Sequence, residues 1–426
     1  MWPAPPRPPR PSLTATLFAA ALALCLAHPA AAANLKDAFA PLGLTPSLVY
    51  DGDAFADASG GAERGATYVG DLHLQMDFDG AKALGAPGLT AHVDGLWTHG
   101  GLPSALAGDV QGLSNIAAPA GVRLYEAWMQ YSPPGGRVSV LAGRFDLNTE
   151  FYRLASAGLF VNSSFGMGPE LSQSALAGPS IFPETSQGLR LAFKPSRGVV
   201  LRAAVMQAPS ARPQGPAGPQ DGGGVMVIGE AAFLARPSPA PDSPMRFRIG
   251  RGASLPAYDD KLAVGGWWWS GRYPDLVALD VAGRPLRRKG EGGAYVLADA
   301  VLFQGQGASR ARVAGFVQLG AADDRTGRFG AYLGGGVVAK GLVPGRPDDE
   351  LGLAVAHARN GDPYLEAQRL QGQPADRAET AIELTWLAQV SGWLSLQPDL
   401  QYVVHPNTDP RVQGALTFQL RFEAAF

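Results

Sequence analysis

The chain has 426 residues, of which 46% are hydrophobic and 17% charged, with 55 glycines and a single cysteine. Basic and acidic residues nearly balance, 35 against 37, which argues against nucleic acid as a partner. One cysteine cannot build a disulfide framework.

Met1–Ala33 reads as an export signal. Arg7 and Arg10 form a basic start, Leu13–Leu26 is an apolar run too short to span a bilayer, and Ala31-Ala32-Ala33 is a small-residue cleavage site. Cleavage there starts the mature chain at Asn34 and removes Cys25, so thiolate chemistry leaves with it. It also removes two arginines, leaving 33 basic against 37 acidic residues, a formal charge of −4. No mature segment reaches the ~20 apolar residues of a membrane helix. Such an exported chain is either a soluble globular protein or an outer-membrane barrel.

Taken in order, the mature chain shows a period of two again and again. Leu44–Phe55 is the first candidate strand. In Tyr68–Phe78, Leu72, Leu74, Met76 and Phe78 oppose Asp71, His73, Gln75 and Asp77. Leu89, Ala91, Val93, Gly95 and Trp97 oppose Thr90, His92, Asp94 and Thr98. From Val122 to Tyr131, Tyr125, Ala127, Met129 and Tyr131 oppose Glu126, Trp128 and Gln130. Candidates continue at Val138–Asp146, Gly188–Lys194, Val199–Gln207, Val225–Leu234, Met245–Gly250 and Leu262–Ser270. Next come Gly293–Phe303, Arg312–Ala321, Gly330–Lys340, Leu351–His357, Glu379–Ala388 and Leu394–Val403. The last stretch, Ala415–Phe426, is the clearest: Leu416, Phe418, Leu420 and Phe422 on one face, Thr417, Gln419, Arg421 and Glu423 on the other.

Strands of about ten residues, alternating oily and wet, are the signature of a transmembrane β-barrel. Only helices and closed barrels satisfy their backbone groups inside hydrocarbon. We therefore expect an all-β fold, a transmembrane antiparallel barrel of about 16 strands with long loops folding into the lumen. Even strand numbers are the bacterial rule, so Met245–Gly250 is absorbed into a loop. Short turns such as Ser132–Gly136 and Pro195–Gly198 alternate with long connections at Gly100–Gly121, Leu147–Gln187, Ala208–Gly224 and Arg359–Ala378. The Pro/Gly-rich Ala208–Gly224 has the composition of a surface loop. Trp267, Trp269 and Tyr402 are candidates for the aromatic girdles at the membrane boundaries, with Trp268 then pointing inward or ending the strand.

Catalytic and metal motifs are absent: no H-E-x-x-H, no G-x-S-x-G and no phosphate cradle. Neither a cofactor nor a metal is expected, and His73 and His92 read as polar lumen residues. The inward candidates carry both signs: Asp77, Asp94, Glu126, Glu379, Glu383 and Glu423 against Arg190, Lys194, Arg202, Arg246, Arg248 and Arg421. An anion pore wants rings of arginine and lysine, and a cation pore wants carboxylates. Mixed donors and acceptors with an aromatic face suit a neutral polyol, and Trp128 beside Glu126 fits that description. Arg144 and Asp146 share a face of the strand that feeds a loop of about forty residues, a length that calls for a function. The apolar piece Ala157–Val161 in that loop makes sense folded inward.

The segments Gly112–Ile116, Arg123–Trp128, Gly143–Asn148, Leu159–Ser164, Gly178–Pro183 and Leu396–Tyr402, with the aromatic end, resemble the OprB-type carbohydrate-selective porins in wording and order. The resemblance implies a sixteen-stranded outer-membrane channel for sugars, constricted by inward-folded loops and by Arg144 and Asp146. It also implies that Phe426 is a recognition signal for the barrel assembly machinery. On this reading Arg144 donates to sugar hydroxyls, Asp146 and Glu126 accept, and Trp128 stacks on the ring. Expected partners are small sugars, outer-membrane lipid and the assembly machinery, and a homo-oligomer is among the states allowed. A general unselective pore, a barrel-borne hydrolase and an exported β-sandwich are the competing readings.

Overall fold

The computed structural model describes residues 36–209, 224–235, 260–305 and 311–426. The export signal, the candidate strand Met245–Gly250, Arg246, Arg248 and most of the Ala208–Gly224 loop lie outside the described residues. Among the described residues sixteen strands run β1 (Leu44–Gly61), β2 (Gly65–Asp79), β3 (Leu89–Gly100), β4 (Gly121–Tyr131), β5 (Val138–Phe145) and β6 (Ser186–Ser196). They continue as β7 (Val199–Gln207), β8 (Val225–Leu234), β9 (Lys261–Leu279), β10 (Pro285–Gln304) and β11 (Arg312–Ala322). The last are β12 (Phe329–Lys340), β13 (Glu350–Asn360), β14 (Ala378–Gln389), β15 (Leu394–Val404) and β16 (Gln413–Ala425). Each strand pairs antiparallel with its sequence neighbours, and β1 pairs with β16 to close the barrel. Closure leaves no edge strand in the wall.

Parity in β16 is as the sequence predicts. Thr417, Gln419, Arg421 and Glu423 are buried inside, while Phe418 and Leu420 face out. The outer face elsewhere carries Val264, Val317, Leu319, Leu333 and Leu353, all exposed, as a lipid-facing band requires. Trp268 belongs to this outer face, and Trp267 and Trp269 point inward, the reverse of the expected arrangement. The short connections 132–137, 197–198 and 390–393 lie at one end, and 101–120, 146–185 and 361–377 lie at the other.

The interior is not uniformly wet. Residues 146–185 fold back into the barrel, and Phe151, Tyr152, Leu159, Phe160, Phe165 and Leu171 pack on apolar inner residues of β7–β13. Met206, Ile228, Trp267, Tyr295, Phe316 and Tyr332 form that wall. Two glycines permit the close approach. A Cβ at Gly320 would stand 1.9 Å from Glu170 Oε1, and one at Gly352 would stand 2.7 Å from Leu159 Cδ2. A side chain there would force Glu170 or Leu159 out of its present place.

A chain folded into a dry space must still satisfy its backbone N–H groups. Inward carboxylates of the wall do this. Tyr152 N–H donates to Glu230 at 3.0 Å, and Ser156 N–H to Asp299 at 3.0 Å. Val161 and Asn162 N–H donate to Glu383 at 2.6 and 2.9 Å, and Ala175 N–H to Glu291 at 2.8 Å. The second inward segment, 108–117, hangs on Glu379 through the N–H groups of Val110 and Gln111 at 3.0 and 3.1 Å. Glu379 and Glu383, which the sequence reading assigns to a wet lumen wall, are therefore anchors for the loops.

Candidate functional site

The space left by the two inward segments lies against β1–β4. It is a cavity of ≈ 360 Å³, within the ~300–1,000 Å³ usual for small-molecule sites. Asp51, Asp71, His73, Gln75, His92, Asp94, Glu126 and Trp128 supply the strand side. Asn115, Asp146, Thr149 and Phe182 supply part of the loop side.

Strand geometry places these groups. His92 and Asp94 alternate inward from β3, with Trp128 and Asp94's partner Glu126 directly opposite on β4. A register shift follows, pairing Gly95 with Leu124 and leaving Tyr125 as an extra residue. A bulge re-aims the side chain of its extra residue, so Tyr125 turns inward beside Glu126 instead of outward as strict alternation predicts.

The structure brings three of the four expected site residues together. Glu126 Oε1 accepts from Asp146 N–H at 2.8 Å. Asp146 leaves the strand and caps the short helix Leu147–Thr149, accepting from Asn148 N–H at 2.6 Å and from the Tyr125 hydroxyl. Burial pushes the Asp146 carboxyl above the ordinary carboxylate range, and these two donors pull it part of the way back. Trp128 lines the cavity with His92 stacked on one face of its indole at 5.3 Å.

Arg144 stands apart. It pairs with Ala127 and Gln187 on the outer face of β5, and Nη1 donates to the Thr185 carbonyl and, at 3.4 Å, to its hydroxyl. It is not among the residues lining the cavity. The shared face expected for Arg144 and Asp146 is lost because β5 ends at Phe145 and Asp146 begins the helical turn.

The cavity is rich in acceptors. Five lining residues are carboxylates, Asp51, Asp71, Asp94, Glu126 and Asp146, and none is lysine or arginine. One oxygen each of Asp51, Asp71 and Asp94 has no protein donor. The inward bases lie elsewhere. Arg190 is held by Ser139, Gln130 and Glu150, and Arg421 by Asp53. His73 Nδ1 contacts Asp94 and His92 Nδ1 contacts Asp77, each at 2.8 Å. No group of three or more His, Cys, Asp or Glu with metal-binding geometry occurs among the described residues.

The model described as the carbohydrate-selective porin, OprB family, matches residues 63–426. Porin B of Pseudomonas aeruginosa is 28% identical over 182 residues, covering 38% of this chain and 40% of that protein. The chain thus aligns with less than half the length of that curated relative. Among solved structures, Pseudomonas putida OprB at high pH superposes with a TM-score of 0.78 at 20% identity, covering 92% of this chain and 96% of that one. Its low-pH structure gives 0.56 at 16% identity over the same shares. The outer membrane channel DcaP of Acinetobacter baumannii gives 0.51 at 10% identity, covering 90% and 97%. At these identities the structures speak for the fold.

Proposed function

Because the chain belongs to the OprB family of carbohydrate-selective porins, we propose that its outer-membrane barrel carries small sugars by passive diffusion, with the β1–β4 cavity as the narrow, weakly binding part. The observation that carries this reading is the cavity itself, an acceptor-rich wall beside an aromatic patch, bounded by chain folded in from the outer rim. Carboxylate oxygens of Asp51, Asp71, Asp94, Glu126 and Asp146 accept from sugar hydroxyls. Tyr125 and the uncovered side of Trp128 meet the apolar faces of the ring, and the Asn115 amide donates. Contacts of this kind bind weakly enough for release, as conduction demands. Both cavity histidines bond to carboxylates and not to a serine, which favours transport over hydrolysis.

The test is a planar bilayer with sugars added one at a time. Glucose is expected to block the ion current competitively, and Trp128→Ala to weaken the block severalfold with little change in open conductance. Equal block by a zwitterion of similar size would mean an unselective pore.

Phe426 is 5% exposed, exchanges both backbone hydrogen bonds with Leu48 at 2.8 and 3.1 Å, and stacks on Trp393 at 5.7 Å. As a signal for the assembly machinery, its deletion should lower the amount reaching the outer membrane severalfold while refolding from denaturant into detergent proceeds as before. A matching refolding defect would make its role purely structural.

A further inference from the structure

The hairpin of β9 and β10 is the longest in the barrel, and its outer face changes character along its length. On β9, Val264 and Trp268 face out and are exposed, and Arg272 follows on the same side, also exposed. Arg272 stands eleven residues beyond Lys261, roughly 36 Å along a strand. At the usual tilt of about 40° that is roughly 28 Å of height, just past an apolar band ~25 Å tall. The arginine therefore emerges where hydrocarbon gives way to headgroups.

Its cross-strand partner is Lys289. Gly290, at φ +80° with its missing Cβ only 2.7 Å from the Trp268 indole, breaks the alternation of β10 and turns Lys289 outward. Arg287, exposed, sits one step further up on the same side, opposite Pro274. Like charges placed directly opposite each other on a sheet destabilise it. The acids of this hairpin do not relieve Arg272 and Lys289. Asp275 takes Arg288, and Glu291 faces the interior and accepts from Ala175 N–H at 2.8 Å. Arg272 and Lys289 form no ion pair among the described residues.

Two opposed cations above an outward tryptophan, at the upper edge of an apolar belt, match an anionic headgroup that carries acyl chains. We propose that Arg272 and Lys289 bind a phosphate of an outer-leaflet phosphoglycolipid, the lipopolysaccharide, holding one molecule against the β9–β10 wall with its acyl chains over Trp268. The guanidinium and ammonium neutralise the phosphate directly, and the lipid removes the repulsion between them. Nothing in this depends on what the channel carries.

Native mass spectrometry of the purified barrel, titrated with lipopolysaccharide and with the same lipid stripped of phosphate, tests the site. The phosphorylated lipid is expected to bind at least about tenfold tighter, a difference of about 1.4 kcal/mol. R272Q/K289Q should lose that preference, and R272K/K289R should keep it. Heat-shifted gel mobility confirms that each variant is folded, and the single variants R272Q and K289Q replace the pair if it fails to fold. No preference in the unaltered protein, an undiminished preference in R272Q/K289Q, or displacement of the lipid by inorganic phosphate alone would each overturn the proposal.

Discussion

Replacing Glu383 by alanine is expected to raise single-channel conductance by a factor of several and to abolish block by sugar. The carboxylate is fully buried on β14 and accepts from the N–H groups of Val161 and Asn162 at 2.6 and 2.9 Å. Removing it strands two donors in a dry interior, at about 1–3 kcal/mol each. Leu159, Phe160 and Phe165 keep their apolar seats on the wall, so residues 161–164 between them loosen while the rest of the loop stays. Those residues border the cavity through Ser163, and loosening them widens it. Glu383→Gln retains one carbonyl acceptor and should fall between the two. A conductance unchanged in Glu383→Ala would show that wall carboxylates do not set the position of the loop.

The second large effect concerns stability. Arg421 is 2% exposed on β16, and its cross-strand partner at the closing seam is Asp53 on β1. Nε and Nη2 donate to the two oxygens of Asp53 at 2.7 and 2.8 Å, and Nη1 donates to the Asn115 side-chain carbonyl at 2.7 Å. Arg421→Ala leaves a fully buried carboxylate without its counter-charge, a change that costs about 3–5 kcal/mol in comparable pairs. It also unhooks Asn115 and with it the inward segment 108–117. The unfolding midpoint of the detergent-solubilised barrel should fall markedly. Asp53→Asn combined with Arg421→Met should recover much of the loss, because no lone charge then remains. A double variant as unstable as Arg421→Ala would assign the effect to lost packing instead of the orphaned carboxylate.

Both predictions rest on contacts that alternation alone could not reveal. A period of two shows which side of the wall each residue occupies, and in β16 it does so without error. It does not say what occupies the space on that side. Trp267 and Trp269 flank an outward Trp268 and face inward, where a water-filled lumen would leave them stranded. The explanation is chain from 146–185 packed over them, more than eighty residues away in sequence. The same distance hides the anchors, since nothing local to Glu230 or Glu383 says that a distant N–H will find it.

Where alternation failed, the cause was local. One extra residue in β4 turned Tyr125 inward, and the end of β5 at Phe145 separated Arg144 from Asp146. Flanking glycine, Gly143 at φ +134°, was the available hint that β5 is irregular there. Of the four expected site residues, Trp128 and Glu126 stand opposite His92 and Asp94 on β3, and Asp146 joins them through its backbone N–H to Glu126.

Because 146–185 fills the side of the lumen under β7–β13, the cavity lies off the barrel axis, pressed to one arc of the wall. Its flanks are β1–β4 on one side and folded-in loop on the other, and Trp267, Tyr295 and Phe316 are not part of its lining. The two arcs therefore diverge under substitution. Trimming an apolar side chain on the filled arc, such as Trp267 or Phe316, spends folding energy and leaves the cavity lining as it is, whereas trimming Trp128 on the open arc changes the cavity itself.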